Sequence, residues 1–420
     1  MFLKEISASL YPWDLADEGI ERILDNLQEM TGCNSVYLVA LMHQEKRPLT
    51  DFFYPHNPVR KTYFVEDSRA YWIPDMAYYD RTPIKPRGSD RDFLRGTDWL
   101  SVLVEAVRKR GLRTGAELSH TFIDEERAGG EFARCMQHDI YGRRIGRLIC
   151  FNNPEAREYA ASLFVDLSAR YELDYIQTCL LPFSAGSGRA RSSHPAEKLL
   201  GAVLGGCFCE HCAAAAGRSG LDFDRVAGDL RPLADAFDRP QLAQSHEMAL
   251  LRAGNTSPVA MLLENPSLFD WLRFRRDSLT SFFAEVHRRA HAARNTVDVR
   301  LNAFITSDQE LSGLDLRALQ PHLDSIRSSD YSEQSGDPSR LEHKRQWLLS
   351  VRRAVGDRMH FLSAIGVRPQ ATPELIRQGV VISAQCGVDG ITIGHYDGAP
   401  VSHLRAIREG LEMADAQIAQ

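Results

Sequence analysis

One pattern constrains this chain more than any other: short apolar runs recur along it, each separated from the next by a stretch of helical periodicity. Ser35-Val-Tyr-Leu-Val-Ala-Leu-Met-His43 is a continuous apolar run ending in polar residues, as expected of a strand covered on both faces of a parallel sheet. Comparable runs lie at 112–120, 147–153, 173–183, 297–305, 323–329, 360–367 and 390–395. Between them come helical patterns at 98–110, 154–171, 340–355 and 373–385, with 402–414 closing the chain. An opening helix is expected at 15–30, with Asp14 as its N-cap and Gly32 at its end. Eight strands alternating with helices, with no Gly-x-Gly-x-x-Gly turn after the first, predict an α/β fold of the (β/α)8 TIM-barrel type over a doubly wound open sheet.

Two connections exceed ordinary turns: 44–97, after the first predicted strand, and 184–296, after the fourth. We therefore expect a single barrel domain over 1–420, with 44–97 as a cap loop and 184–296 as a helical insertion. Both leave strand C-terminal ends, where barrel enzymes build their sites.

Charge and composition exclude several classes. Lys plus Arg number 50 against 56 Asp plus Glu, a net −6, which offers no broad attraction for phosphate backbones or anionic lipid. No nucleic-acid partner is expected. Apolar runs such as 36–42 are too short to cross a bilayer, so no membrane partner is expected either. Eight cysteines in 420 residues are too sparse for a disulfide scaffold, and the first ten residues lack a signal-peptide apolar stretch. The expected setting is cytoplasmic, with reduced thiols. A homo-oligomer stays open.

The cysteines are clustered. Cys207-Phe-Cys209-Glu-His-Cys212 sets three thiols close enough to converge on one tetrahedral soft ion, with zinc favoured. A fourth ligand is needed. Upstream, Leu148-Ile-Cys150-Phe-Asn-Asn-Pro154-Glu-Ala-Arg157-Glu-Tyr opens a helix, with Pro154 suited to its first turn. Together these segments resemble glycoside hydrolase family 42, the barrel β-galactosidases, in which a cysteine just after the third strand joins a Cys-x-Cys-x-x-Cys group beyond the fourth. The resemblance covers about 147–218, with a weaker echo at 265–294. It implies Cys150 as the fourth ligand beside Cys207, Cys209 and Cys212, and a structural zinc that pins a loop near the active site.

The resemblance stops at the chemistry. The family's acid/base Glu follows an Asn at the end of the fourth strand, where this chain reads Gln177-Thr-Cys-Leu-Leu-Pro-Phe183, and the seventh strand, 360–367, carries no carboxylate for a nucleophile. Glycosidic hydrolysis needs one carboxylic acid and one carboxylate. Here Glu117, Asp330 and Asp397 can supply them, Glu117 being the first choice because Gly115-Ala-Glu-Leu-Ser is apolar and burial raises a carboxyl pKa. His43, His120, Asn152, Asn302 and His395 also fall at expected strand ends as sugar-binding candidates. The expected function is a carbohydrate-active, glycoside hydrolase-like enzyme acting on a small carbohydrate or glycoside. The alternatives are a metal-dependent sugar isomerase, epimerase or lyase, and a sugar-binding barrel without turnover. Aromatics of the first loop, including Tyr71, Trp72 and Tyr79, are candidates for stacking on a sugar or for the loop's own core.

Overall fold

The structure, a computed structural model, describes residues 2–42, 55–60, 69–119, 130–179, 183, 203–238, 257–304 and 313–418. Eight strands run parallel in chain order: β1 (Glu5–Leu10), β2 (Ser35–Met42), β3 (Arg113–Ser119), β4 (Tyr175–Cys179), β5 (Asp298–Phe304), β6 (Ser325–Ser329), β7 (His360–Gly366) and β8 (Gly390–Gly394). Each pairs with the next, and β8 returns to β1 through Glu5↔Gly390 to Ala8↔Ile393. Closure leaves no open edge in the ring. The fold is a (β/α)8 barrel.

Two strands differ from the sequence expectation. β1 reads Glu-Ile-Ser-Ala-Ser-Leu. Its Ile6, Ala8 and Leu10 join the apolar core, while Glu5 and Ser7 bond to side chains from other strands of the ring and Ser9 to His395 just after β8. This period-2 alternation lacks the continuous apolar run that marks its neighbours. The run at 147–153, in contrast, is not a barrel strand. Arg144–Ile149 pairs antiparallel with Met136–His138 in a separate hairpin. The strand at 35–43 is therefore second in the ring, and the 44–97 connection follows strand two, not strand one.

The expected opening helix is also divided, into α1 (Pro12–Glu18) and α2 (Ile20–Thr31). Gly19, at φ +86°, lies between them in a conformation that side-chain-bearing residues rarely adopt. Around the ring stand α3 (Trp99–Lys109), α4 (Pro154–Arg170), then α5 (Glu210–Arg218), α6 (Phe223–Asp238), α7 (Pro258–Glu264) and α8 (Ser267–Ala293) between β4 and β5. Finally come α9 (Ser339–Val355), α10 (Pro373–Gln385) and α11 (Val401–Ile418). Helix α8 packs on α4. A second apolar cluster, including Val226, Leu230, Met261, Leu268 and Trp271, ties α6, α7 and α8 together.

Ions fill the N-terminal half of the barrel. Glu5 accepts from Arg300 Nη1 and Nη2 at 2.9 and 3.2 Å, lies 2.9 Å from His360 Nε2, accepts from Ser35 Oγ at 3.1 Å, and pairs with Arg113. Arg300 lies over the Tyr175 ring, 3.9 Å from its centroid. Burial pushes the Glu5 carboxyl up, but Arg300, His360 and Arg113 outweigh it and hold the group well below the usual carboxylate range. Gly115 makes room for this layer, since a Cβ there would come within 2.3 Å of the Tyr175 ring.

Candidate active site and metal centre

At the C-terminal half of the barrel the interior polar groups change partners. Glu117, on β3 and 7% exposed, accepts a hydrogen bond from Gln177 Nε2 on β4 at 2.5 Å. Across the ring, Arg327 on β6 donates to Asn302 Oδ1 of β5 at 3.0 Å and to the Tyr331 hydroxyl at 2.6 Å, and Ser329 also bonds Asn302. Burial works against the Arg327 charge, but Tyr331, Tyr37 and Glu117 together hold its pKa above the ordinary arginine value. The buried Arg327 guanidinium thus has the Glu117 carboxylate as its counter-charge, with the Tyr331 hydroxyl as a hydrogen-bond partner. Beside Glu117 the β2–β3 register slips between Val39 and Leu41, and the Ala40 carbonyl accepts from Tyr71 N at 2.8 Å. Bulges of this kind re-aim side chains next to sites. Gln177 Oε1, Arg327 Nε and Thr392 Oγ1 are buried without a hydrogen-bond partner among the described residues.

A second acidic group stands at the same end, where β1 and β8 adjoin. Asp14 lies in the first turn of α1 and accepts from Tyr11 N at 2.8 Å. Asp397 follows β8 and is 4% exposed. Burial, and next the Asp397 charge, push the Asp14 carboxyl well above the usual carboxylate range. His395 sets this turn. It is at φ +53°, the sole non-glycine residue with positive φ among the described residues. Its Nδ1 lies 3.2 Å from Ser9 Oγ, and its ring stacks on Tyr11 with centroids 5.2 Å apart. Backbone strain of this type collects at functional sites.

The remaining candidates are distributed differently. Asn302 is at the mouth, bonded to Arg327. Asp330 is buried, with Oδ1 accepting from Ser332 N and Oγ at 2.8 and 2.6 Å and Oδ2 unpartnered among the described residues. His43 and His120 lie outside the described residues. Asn152 is not at a barrel strand end, because the run that placed it there belongs to the hairpin segment. It donates to Cys212 Sγ at 3.4 Å and to Ser278 Oγ at 3.2 Å. In the first loop, Trp72 and Tyr79 are buried and donate to Asp166 of α4 at 2.9 and 3.0 Å. They pack the loop onto α4 and the main core.

Cys150, Cys207, Cys209 and Cys212 do come together, all four buried, with sulfurs within 4.8 Å of one another. Cys150 is 3.4 Å from Cys212 and 3.6 Å from Cys209. Thiolates about 2.3 Å from a tetrahedral ion are about 3.8 Å apart, so the cluster has the dimensions of a metal centre and could hold an ion. The backbone N–H of His138, in the hairpin, donates to Cys207 Sγ at 3.4 Å. With the Asn152 amide it supplies the outer hydrogen bonds that support metal-bound sulfur. The preceding Gly206, at φ +116°, has no room for a Cβ, which would meet the Trp271 ring at 2.3 Å. Beside this centre, away from the barrel axis, a cleft of about 1030 Å³ is lined by Asn152, Arg157, Arg218, Asp270 and Arg273, among others.

Four buried polar groups beside these carboxylates, Arg327, Gln177, Tyr37 and Asp14, are not singled out as candidates by the sequence. The available signal for Arg327 was an arginine within the otherwise uncharged Ser325-Ile-Arg-Ser-Ser329. For Asp14 the sequence signal is that of a helix cap, which leaves no trace of a neighbour almost four hundred positions away.

The comparisons agree on architecture. The glycoside hydrolase domain of PgaB (BpsB) from Bordetella bronchiseptica superposes with a TM-score of 0.59 at 12% identity, over 98% of this chain and 98% of that one. Alpha-L-fucosidase isoenzyme 2 from Paenibacillus thiaminolyticus gives 0.56 at 15%, over 99% of this chain and 50% of that one. A GH42 β-galactosidase from G. stearothermophilus gives 0.53 at 14%, over 99% and 56%. The chain thus spans about half the length of the last two. No protein-family model matches the chain, and no curated protein matches it in sequence. At these identities the likeness is one of fold, shared with barrels that are named as glycosidases.

Proposed function

We propose that the chain is a carbohydrate-active barrel enzyme of the glycoside hydrolase type, with its reaction centre at the C-terminal mouth of the ring. The observation that carries this reading is the contrast between two carboxyl sites: Glu117 is balanced by Arg327, whereas Asp14 and Asp397 repel one another. Pairs of titratable groups set apart by their surroundings mark acid and base roles. Glu117 is the base or nucleophile at the anomeric carbon. The Asp14–Asp397 pair retains a proton, and Asp397 delivers it to the glycosidic oxygen as the bond breaks. Asn302, Gln177, Arg327 and Thr392 offer hydrogen bonds to sugar hydroxyls, His395 positions the Asp397 turn, and Asp330 is the reserve carboxylate. His43 and His120 remain proposed sugar ligands.

The cysteine centre takes a structural zinc in this reading. Four thiolates leave no open position, so the ion joins the hairpin to α5 and does no chemistry on the sugar. Reduced thiols fit a cytoplasmic setting. The test is turnover of a panel of aryl glycosides by the wild-type chain and by Glu117→Gln, which keeps the shape and the acceptor for Gln177. A loss of roughly a hundredfold or more is expected from the magnitude of acid/base contributions, with an unchanged circular dichroism spectrum. Equal turnover by the variant would remove Glu117 from the mechanism.

A further inference from the structure

On the opposite face of the barrel a second group of metal-binding side chains converges. His287 and His291 are one helical turn apart near the end of α8, and so project from one face of it. Asp324 immediately precedes β6, at the N-terminal end of the ring. His287 Nε2 lies 3.2 Å from Asp324 Oδ1, and His291 Nε2 lies 2.9 Å from Oδ2. The two imidazole centroids are 4.0 Å apart, and the three donor atoms all fall within 4.8 Å of one another.

We infer that His287, His291 and Asp324 form a second metal site, for a divalent transition ion such as Zn2+ or Co2+. Nitrogen and oxygen ligands about 2.0–2.1 Å from a tetrahedral ion are about 3.3 Å apart, close to both measured separations. Two imidazoles and one carboxylate select zinc, cobalt, nickel or copper over magnesium and calcium, which prefer all-oxygen shells. Asp324 is already held in place, because its Oδ2 accepts from Val299 N at 2.9 Å. The ligand set is thus partly preorganised, and it spans the end of α8 and the β5–β6 edge. A site on the N-terminal face of a barrel serves stability, so the ion would staple α8 to the ring, with water completing its shell.

The experiment is a Co2+ titration of chelator-stripped full-length protein, read by absorbance and by bound metal per chain. Cysteine-bound cobalt shows intense near-ultraviolet sulfur-to-metal charge transfer, and a His2Asp site shows only weak visible bands, so the two centres are separable. The wild-type protein is expected to bind an equivalent without sulfur charge transfer, and Zn2+ is expected to raise its Tm. His291→Ala should lose that equivalent and its share of the Tm rise while keeping the sulfur bands. Cys209→Ser should do the reverse. Asp324→Asn, which keeps an acceptor for Val299 N, provides a second reading should His291→Ala fail to fold. Equal cobalt uptake by wild-type protein, His291→Ala and Asp324→Asn would overturn the site and leave a plain imidazole–carboxylate contact.

Discussion

Asp14 is a carboxyl whose charge works against the folded state. Its pKa in the folded chain lies above the ordinary 3.8 because of burial and Asp397. The stability tied to its proton is therefore complete below the unfolded pKa and is lost as pH rises through the folded one. Asp14→Asn keeps an acceptor for Tyr11 N and removes the charge. We predict a higher Tm than wild type near neutral pH and no gain in acid, measured by thermal melts across that range. At this scale the sequence was legible where chemistry is local. The Cys-x-Cys-x-x-Cys spacing announces a metal centre from six consecutive residues, and Glu117 stands out as a carboxylate in an apolar strand. It was silent where chemistry depends on the ring being closed. That Arg327 on β6 faces Glu117 on β3 is a property of the barrel interior, and no linear pattern encodes it.

Elements were legible in proportion to how completely they are buried. β2, covered on both faces, is a continuous apolar run and is apparent at once, whereas β1 alternates because its Glu5, Ser7 and Ser9 face a polar barrel interior. The hairpin strand Arg144–Ile149 imitates a barrel strand because its end packs beside the cysteine centre, where Ile149, Cys150 and Phe151 are all buried. That imitation also places Asn152 at a barrel strand end in the sequence reading, where the structure sets it beside the cysteine centre. β1 is nevertheless central to stability, since Glu5 joins four strands through Arg300, Arg113, His360 and Ser35. Glu5→Gln leaves Arg300 buried without its main counter-charge, and breaking such a pair costs about 3–5 kcal/mol. A denaturant midpoint lowered to match is the expected result. The carboxyl is held below its unfolded pKa, so its contribution is present above that pKa and fades as pH falls. The gap between wild type and Glu5→Gln should accordingly close in acid.

For the whole molecule, the barrel separates its tasks by end. The N-terminal half holds the Glu5 ion layer and the His287–His291–Asp324 cluster, both of which bind elements together. The C-terminal half holds Glu117 with Arg327, the Asp14–Asp397 pair, and the strained His395 turn between β8 and α11. The cysteine centre lies to the side, where the hairpin meets α5. The central claim is that the mouth keeps one carboxyl site ionised and the other protonated. The pH dependence of kcat/KM, on whichever glycoside the wild-type chain turns over fastest, tests this most directly. It should be bell-shaped, with the acid limb set by Glu117 and the alkaline limb by the proton of the Asp14–Asp397 pair. In Asp14→Asn the like charge is gone, so Asp397 should lose its proton at lower pH and the alkaline limb should move down while the acid limb stays. An alkaline limb unmoved in that variant would contradict the account.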